Sequence, residues 1–184
     1  MSPEELEKLE TLQLKGRYTK YQKTLDAFLF CCYAGMRYSD FVNMKPDNIV
    51  EMHQETWLIY KSIKTGTEVR LPLYLLFSGK GILILNKYQA NLQDFFHLRD
   101  NSNVNKELII IARLAGVAKK VSFHTARHTN ATLLIYNGVN ITTVQKLLGH
   151  KSVKTTQIYT NVMDATIISD LEKNHSSVHR KKGK

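Results

Sequence analysis

The sequence predicts an α+β domain, mostly helical with one small antiparallel β-sheet. Three observations carry this reading. Apolar residues at Tyr21, Leu25, Phe28, Leu29 and Cys32 recur at helical spacing. Residues 56–60 form a β-branched and aromatic run, Val69, Leu71 and Leu73 alternate, and Lys64-Thr65-Gly66-Thr67 between them is turn chemistry. Helical patterns then recur over residues 82–97, 104–115, 125–136 and 141–148.

Taken in order, Ser2-Pro3-Glu4-Glu5 has the S-x-x-E capping pattern with proline at the first helical position, so a short helix is expected to about Leu14. Residues 15–19 are polar, contain Gly16 and predict a loop. The helix from Tyr21 ends at Gly35, near Arg37. Ser39-Asp40-Phe41-Val42 predicts a further short helix, stopped by Pro46. The two β-segments form a hairpin with Lys64 at its tip. Gly79 and Gly81 mark a turn, and the polar stretch 99–103 separates the next two helices. Asn137-Gly138 and Gly149 punctuate the helices that follow. Residues 152–159 and a helix over 164–173 complete the pattern. The domain is expected to span residues 1–174, and the lysine- and arginine-rich 175–184 to form a flexible basic tail.

Lys and Arg number 26 against 16 Asp and Glu, a net charge of +10. That excess points to a polyanionic partner, nucleic acid before membrane. The 43% hydrophobic content excludes a wholly disordered chain. No apolar run approaches the roughly 20 residues of a membrane span, and the acidic start shows no signal peptide. Cys31 and Cys32 are neighbours in an apolar helical pattern, which reads as buried free thiols in a reducing cytoplasm.

Five places could carry chemistry, and each also has an ordinary structural reading. Arg37 can pair with Asp40 three residues on. Lys64 can be a solvated turn lysine. His124 and Arg127 share a helix face; with His128 at i+4 they raise a metal reading, but Thr125 stands where H-E-x-x-H needs its glutamate. His150 can cap a helix end. Tyr159 can be packing.

The combination is more specific. Arg37, a hairpin-tip Lys64, His124-x-x-Arg127, Leu148-Gly149-His150 and Tyr159 occur in order. The chain thereby resembles the catalytic domain of the tyrosine recombinase, or phage integrase, family. Leu147-Leu148-Gly149-His150-Lys151-Ser152, followed by Thr155-Thr156-Gln157-Ile158-Tyr159, is close to that family's most specific motif. The stretch from Phe28 to Asp40 is similar to integrases of bacterial conjugative transposons and related mobile elements. Asp40 stands where the family commonly has glutamate, and Ala34 where threonine is frequent; neither change removes a reacting group. Family members usually carry an N-terminal core-binding domain, which is expected to be absent here.

The resemblance implies attack of Tyr159 on a DNA phosphodiester, giving a 3′-phosphotyrosyl intermediate that a 5′ hydroxyl later reseals, for integration or excision of a mobile element. Arg37 and Arg127 would hold the non-bridging oxygens with their planar forks. His124 would accept the phenol proton, Lys64 would protonate the leaving oxygen, and His150 would donate to the phosphate. Neither metal nor cofactor is implied. The expected partner is double-stranded DNA at a specific recombination site. The chain would be a monomer when free and a homo-tetramer on DNA, joined through the helix that follows Tyr159. Lys119, Lys120, Lys146, Lys151 and Lys154 are candidate phosphate contacts. The readings left beside this one are a DNA-binding module without catalysis and a type IB topoisomerase, with a metal-dependent nuclease ranked last.

Overall fold

A computed structural model describes residues 1–159. The predicted helix over 164–173 and the basic tail lie outside the described residues.

The architecture is the expected one, helical with a small sheet. The elements are α1 (Pro3–Glu10), a 3-10 turn (Gly16–Tyr21), α2 (Gln22–Ala34), α3 (Tyr38–Val42), β1 (Ile49–Met52), β2 (Glu55–Lys61), β3 (Glu68–Pro72), α4 (Lys80–Lys87), α5 (Leu92–Phe96), α6 (Asn101–Leu114), α7 (Phe123–Tyr136), α8 (Ile141–Leu147) and α9 (Lys154–Gln157).

Helix α2 is the centre of the molecule. Every residue from Thr24 to Ala34 is buried, and α1, α4, α5, α6 and α7 pack around it. Its continuous apolar run from Ala27 to Ala34 suits a helix covered on all sides rather than on one stripe. Phe41, on α3, meets Phe30, Phe95, Phe96 and Phe123 and so ties α3, α5 and α7 to α2. Cys31 and Cys32 are free and buried in this core, and burial pushes both thiols up, so they stay protonated and inert.

Five expectations are corrected. The hairpin is part of a three-stranded antiparallel sheet in the order β1-β2-β3, with Val50 opposite Trp57 and Leu58 opposite Leu71. Strand β1 has only 4 residues and follows Pro46, too short for its alternation to register. The single helix expected over 82–97 is two helices. The Tyr88 hydroxyl donates to buried Asp26 at 2.8 Å, and the Asn91 side chain accepts from the Asp94 amide to start α5 afresh. Helix α1 stops at Glu10, well short of Leu14, and the expected loop is a 3-10 turn. Helix α6 begins at Asn101, inside the expected spacer, because Asp100 accepts from the Asn103 amide as an N-cap.

Candidate active site

The site is built on the C-terminal end of α2. Gly35 closes that helix in the left-handed region, φ 65°. The last carbonyls of a helix need outside donors, and α7 supplies them. The Asn130 amide donates to Cys32 O at 3.0 Å and Tyr33 O at 2.9 Å. Arg127, one turn earlier, donates Nη1–H to Gly35 O at 2.7 Å and Nη2–H to Leu148 O at 2.5 Å. One buried guanidinium thus joins α2, α7 and the end of α8. The approach is tight: a Cβ on Gly35 would lie 2.7 Å from Asn130 Oδ1 and 2.8 Å from Leu148 Cδ2.

Two residues past Gly35, Arg37 donates to Ser62 Oγ at 3.2 Å and lies 3.7 Å from the Asp40 carboxylate. Asp40 is buried and also accepts from Ser62 Oγ–H and from Ile63 N–H at 2.8 Å. The pairing of Arg37 with Asp40 is therefore real, but it does not exclude a site role. Asp40 orients Arg37 and anchors the base of the hairpin that carries Lys64. At the tip, Thr65 Oγ1–H donates to Gly149 O at 3.2 Å, and Lys64 is exposed. Gly149, at φ 61°, sits so close to β3 that a Cβ would lie 2.6 Å from Val69 Cγ2. The hairpin is seated directly on the Leu148-Gly149-His150 segment.

His150 is buried, with Nδ1 2.9 Å from Thr156 Oγ1. Thr156 O accepts the Tyr159 amide at 3.1 Å, which turns the tyrosine back toward the site. The Tyr159 side chain is 7% exposed and packs on His128, ring centroids 5.4 Å apart; His128 in turn meets His124 edge-on at 4.4 Å.

Several of these groups lie within electrostatic reach of one another. Burial, then Arg127 and Arg37, pulls His150 down to about 4. Burial, then Arg127, Arg37 and Lys64, lowers His124. Burial, then Arg37, brings Arg127 down to about 10, still protonated at neutral pH. Burial raises Tyr159, while Arg127 and Arg37 pull against it. Arg127 and Arg37 thus act together on His124, His150 and Tyr159, and Lys64 acts on His124. The result is a concentration of positive charge held apart by protein bonds, with neutral imidazoles among it: a cradle for an anion.

The candidate lysines stand differently. Lys120, Lys146, Lys151 and Lys154 are exposed, the last three flanking His150 in sequence. Lys119 is bound to Glu5 Oε2 at 3.0 Å. Among the described residues no group of three or more His, Cys, Asp or Glu could hold a metal ion, and no helix is long and apolar enough to cross a membrane. The sequence reading missed the supporting residues. Asn130 gave no signal, Thr156 stood only as part of the motif before Tyr159, Asp40 was read as a pairing partner of Arg37 and a departure from the family pattern, and His128 was weighed only as a metal ligand.

Residues 1–166 match the phage integrase family. The chain belongs to that family. A tyrosine recombinase XerD of Lacticaseibacillus casei is 29% identical over 91% of this chain and 60% of its own length. The crystal structure of XerA recombinase superposes with a TM-score of 0.72 at 24% identity, covering 95% of this chain and 64% of that one. A lambda integrase tetramer bound to a Holliday junction superposes at 0.66 and 19% identity, over 86% of this chain and 47% of that one. These structural likenesses concern the fold. The chain spans about 60% of the XerD relative.

Proposed function

We propose that this phage integrase family chain cuts and rejoins DNA strands at a specific site, with Tyr159 as nucleophile. The observation that supports it is the influence of Arg127 and Arg37 on Tyr159, His150 and His124 alike, with Lys64 also acting on His124.

A phosphodiester already carries negative charge, and its five-coordinate transition state carries more. Arg37 and Arg127 neutralise that charge at the non-bridging oxygens, and each such donor is worth roughly 10²–10³ in rate. Tyr159 Oη forms the new bond to phosphorus as the bond to the 5′ oxygen breaks. His124, held neutral by burial and its cationic neighbours, takes the phenol proton. Lys64, on the exposed hairpin tip, gives a proton to the departing 5′ oxygen. With Nδ1 paired to the Thr156 hydroxyl, His150 has Nε2 left to donate to a phosphate oxygen. The phosphotyrosyl bond keeps the energy of the broken diester, so a 5′ hydroxyl of another strand reseals it in the reverse steps. Arginine and imidazole do the work that a divalent metal does elsewhere, and no ATP is consumed.

The partner in this reading is duplex DNA, and strand exchange brings chains together as a tetramer, as the lambda integrase neighbour is on its junction. The chain-to-chain contact assigned to the helix after Tyr159 lies outside the described residues. The Phe28-to-Asp40 segment supports the end of a mobile element as the DNA acted on.

The test is a nicked DNA carrying the candidate site, incubated with the protein in EDTA. The expected result is a covalent protein–DNA adduct that resolves onto an added strand with a free 5′ hydroxyl. Relaxation of plasmids that lack the site would favour a type IB topoisomerase. Salt-sensitive binding with no adduct would favour a binding module, and loss of cleavage in EDTA a metal-dependent nuclease.

A further inference from the structure

The six-residue constellation leaves one contact of the nucleophile unused. His124, Arg127 and His128 lie on one face of α7. Arg127 turns inward to the carbonyls of Gly35 and Leu148. His124 and His128 instead stack edge-on, centroids 4.4 Å apart and planes at 90°, and His128 continues to Tyr159 at 5.4 Å and 61°. The phenol therefore ends a ladder of three rings. On its other side the Tyr159 backbone is tied through Thr156 to His150.

We propose that His128 is a positioning residue for Tyr159: its ring edge holds the phenol in line with the phosphate cradle and keeps it from swinging to solvent. The inference rests on the assignment of Tyr159 as nucleophile.

The alternative use of His128, as an acid or base, fits less well. Burial, then His124, Arg127 and the terminal amine, lowers its affinity for protons, so at neutral pH it presents an uncharged ring. A neutral ring meeting another edge-on sets C–H edge against π-face, a contact with directional preference and no charge to be screened. Direction is what a nucleophile needs. The segment from Lys154 to Tyr159 has one short helix, Lys154–Gln157, which ends before Tyr159 and leaves its ring angle to side-chain contacts. A displacement of about 1 Å from the attack position costs on the order of 10²-fold in rate.

The experiment has one readout that needs no DNA and one that does. In the free 184-residue chain, tetranitromethane nitration is mapped by mass spectrometry. Tyr136, 43% exposed, is the internal reference for Tyr159 at 7%. His128→Ala is expected to raise nitration of Tyr159 severalfold relative to Tyr136, and His128→Phe to leave it at the wild-type level. At saturating nicked DNA, the single-turnover rate of adduct formation is expected to fall about tenfold to a hundredfold in His128→Ala, with DNA affinity unchanged, and to recover in His128→Phe. If the alanine variant does not fold, His128→Leu, which fills the space without a ring edge, takes its place.

Wild-type nitration and wild-type cleavage in the variant without a ring overturn the proposal. So does a His128→Phe variant that keeps Tyr159 protected yet cleaves as slowly as His128→Ala, because the imidazole would then be doing chemistry. If nitration responds as expected but wild-type protein forms no adduct at Tyr159, the positioning contact stands and the nucleophile assignment falls.

Discussion

Arg127 Nη1 lies 2.7 Å from the carbonyl oxygen of Gly35, so the second arginine of the pocket is also the cap of the helix that delivers the first. Its other arm reaches Leu148 O, next to the Gly149-His150 segment. The two arginines and His150 are consequently set relative to one another by a single planar group. This explains how residues so distant in sequence hold one geometry before any anion is bound, which is where electrostatic preorganisation gets its effect.

Lysine keeps the charge but not the fork. Arg127→Lys can satisfy one of the two buried carbonyls and leaves the other unpaired. It is expected to destabilise the fold by about 1–3 kcal/mol in urea unfolding and to lower adduct formation by about 10²-fold or more. A variant of wild-type stability would show that the two carbonyl bonds are not formed.

Gly149→Ala tests the seating of the hairpin. The new Cβ would meet Val69 Cγ2 at 2.6 Å in a backbone with φ 61°. Gly16→Ala provides the comparison, since φ is 54° there and no atom lies within 4 Å. The first is expected to lose about 1–3 kcal/mol more than the second, from overpacking added to a shared backbone cost. Equal losses in thermal unfolding would mean that β3 does not bear on the Gly149 turn.

The sheet and core were readable because they follow period and composition. The apolar spacing of α2 and the β-branched run of β2 state their structure locally. Strand β1 and the break between α4 and α5 were not readable. Both depend on partners elsewhere in the chain, β1 on pairing with β2, and the break on Tyr88 reaching Asp26. The same division holds in the site. The groups proposed to touch the phosphate are chemically distinctive and stood out in order. Those that place them, Asn130, Thr156, Asp40 and Ser62, are ordinary side chains whose importance comes from the carbonyls, imidazole and guanidinium they meet only after folding.

His150 gives the pocket a pH signature. Its folded-state value is pulled down to about 4, below the usual histidine range near 6.5. A depressed folded value means that the unfolded chain binds the proton more readily. Stability is therefore full above about pH 6.5 and is lost as pH falls toward 4. His150→Asn is expected to flatten that part of the unfolding profile. Sulfate or phosphate in the pocket offsets the charge of Arg37 and Arg127, so in NMR the His150 titration should move upward as anion is added. An unmoved titration would place the anion elsewhere.

Thr156→Val removes the hydroxyl beside His150 Nδ1 and leaves a buried ring nitrogen without its partner. A stability loss of about 1 kcal/mol is expected, with slower adduct formation at unchanged DNA affinity. Thr156→Ser should restore both. Failure of serine to rescue would show that the hydroxyl contact to His150 does not by itself carry the effect.

The lysines separate by salt dependence. Replacing exposed Lys146, Lys151 or Lys154 by alanine is expected to reduce the slope of log K against log salt by about 0.9 for each duplex phosphate that the side chain no longer neutralises. Lys119 is already paired with Glu5, so Lys119→Ala should change the slope less. Equal slopes for all four variants would contradict a DNA path past His150.

The most direct measurement is the site of attachment. Protein trapped on a nicked substrate would be digested with nuclease and protease and the nucleotide-bearing peptide sequenced by mass spectrometry. The account predicts a single nucleotide joined through its 3′ phosphate to Tyr159, and no adduct from Tyr159→Phe under conditions where that variant still binds DNA. A nucleotide on any other side chain, or an adduct that survives Tyr159→Phe, would contradict it.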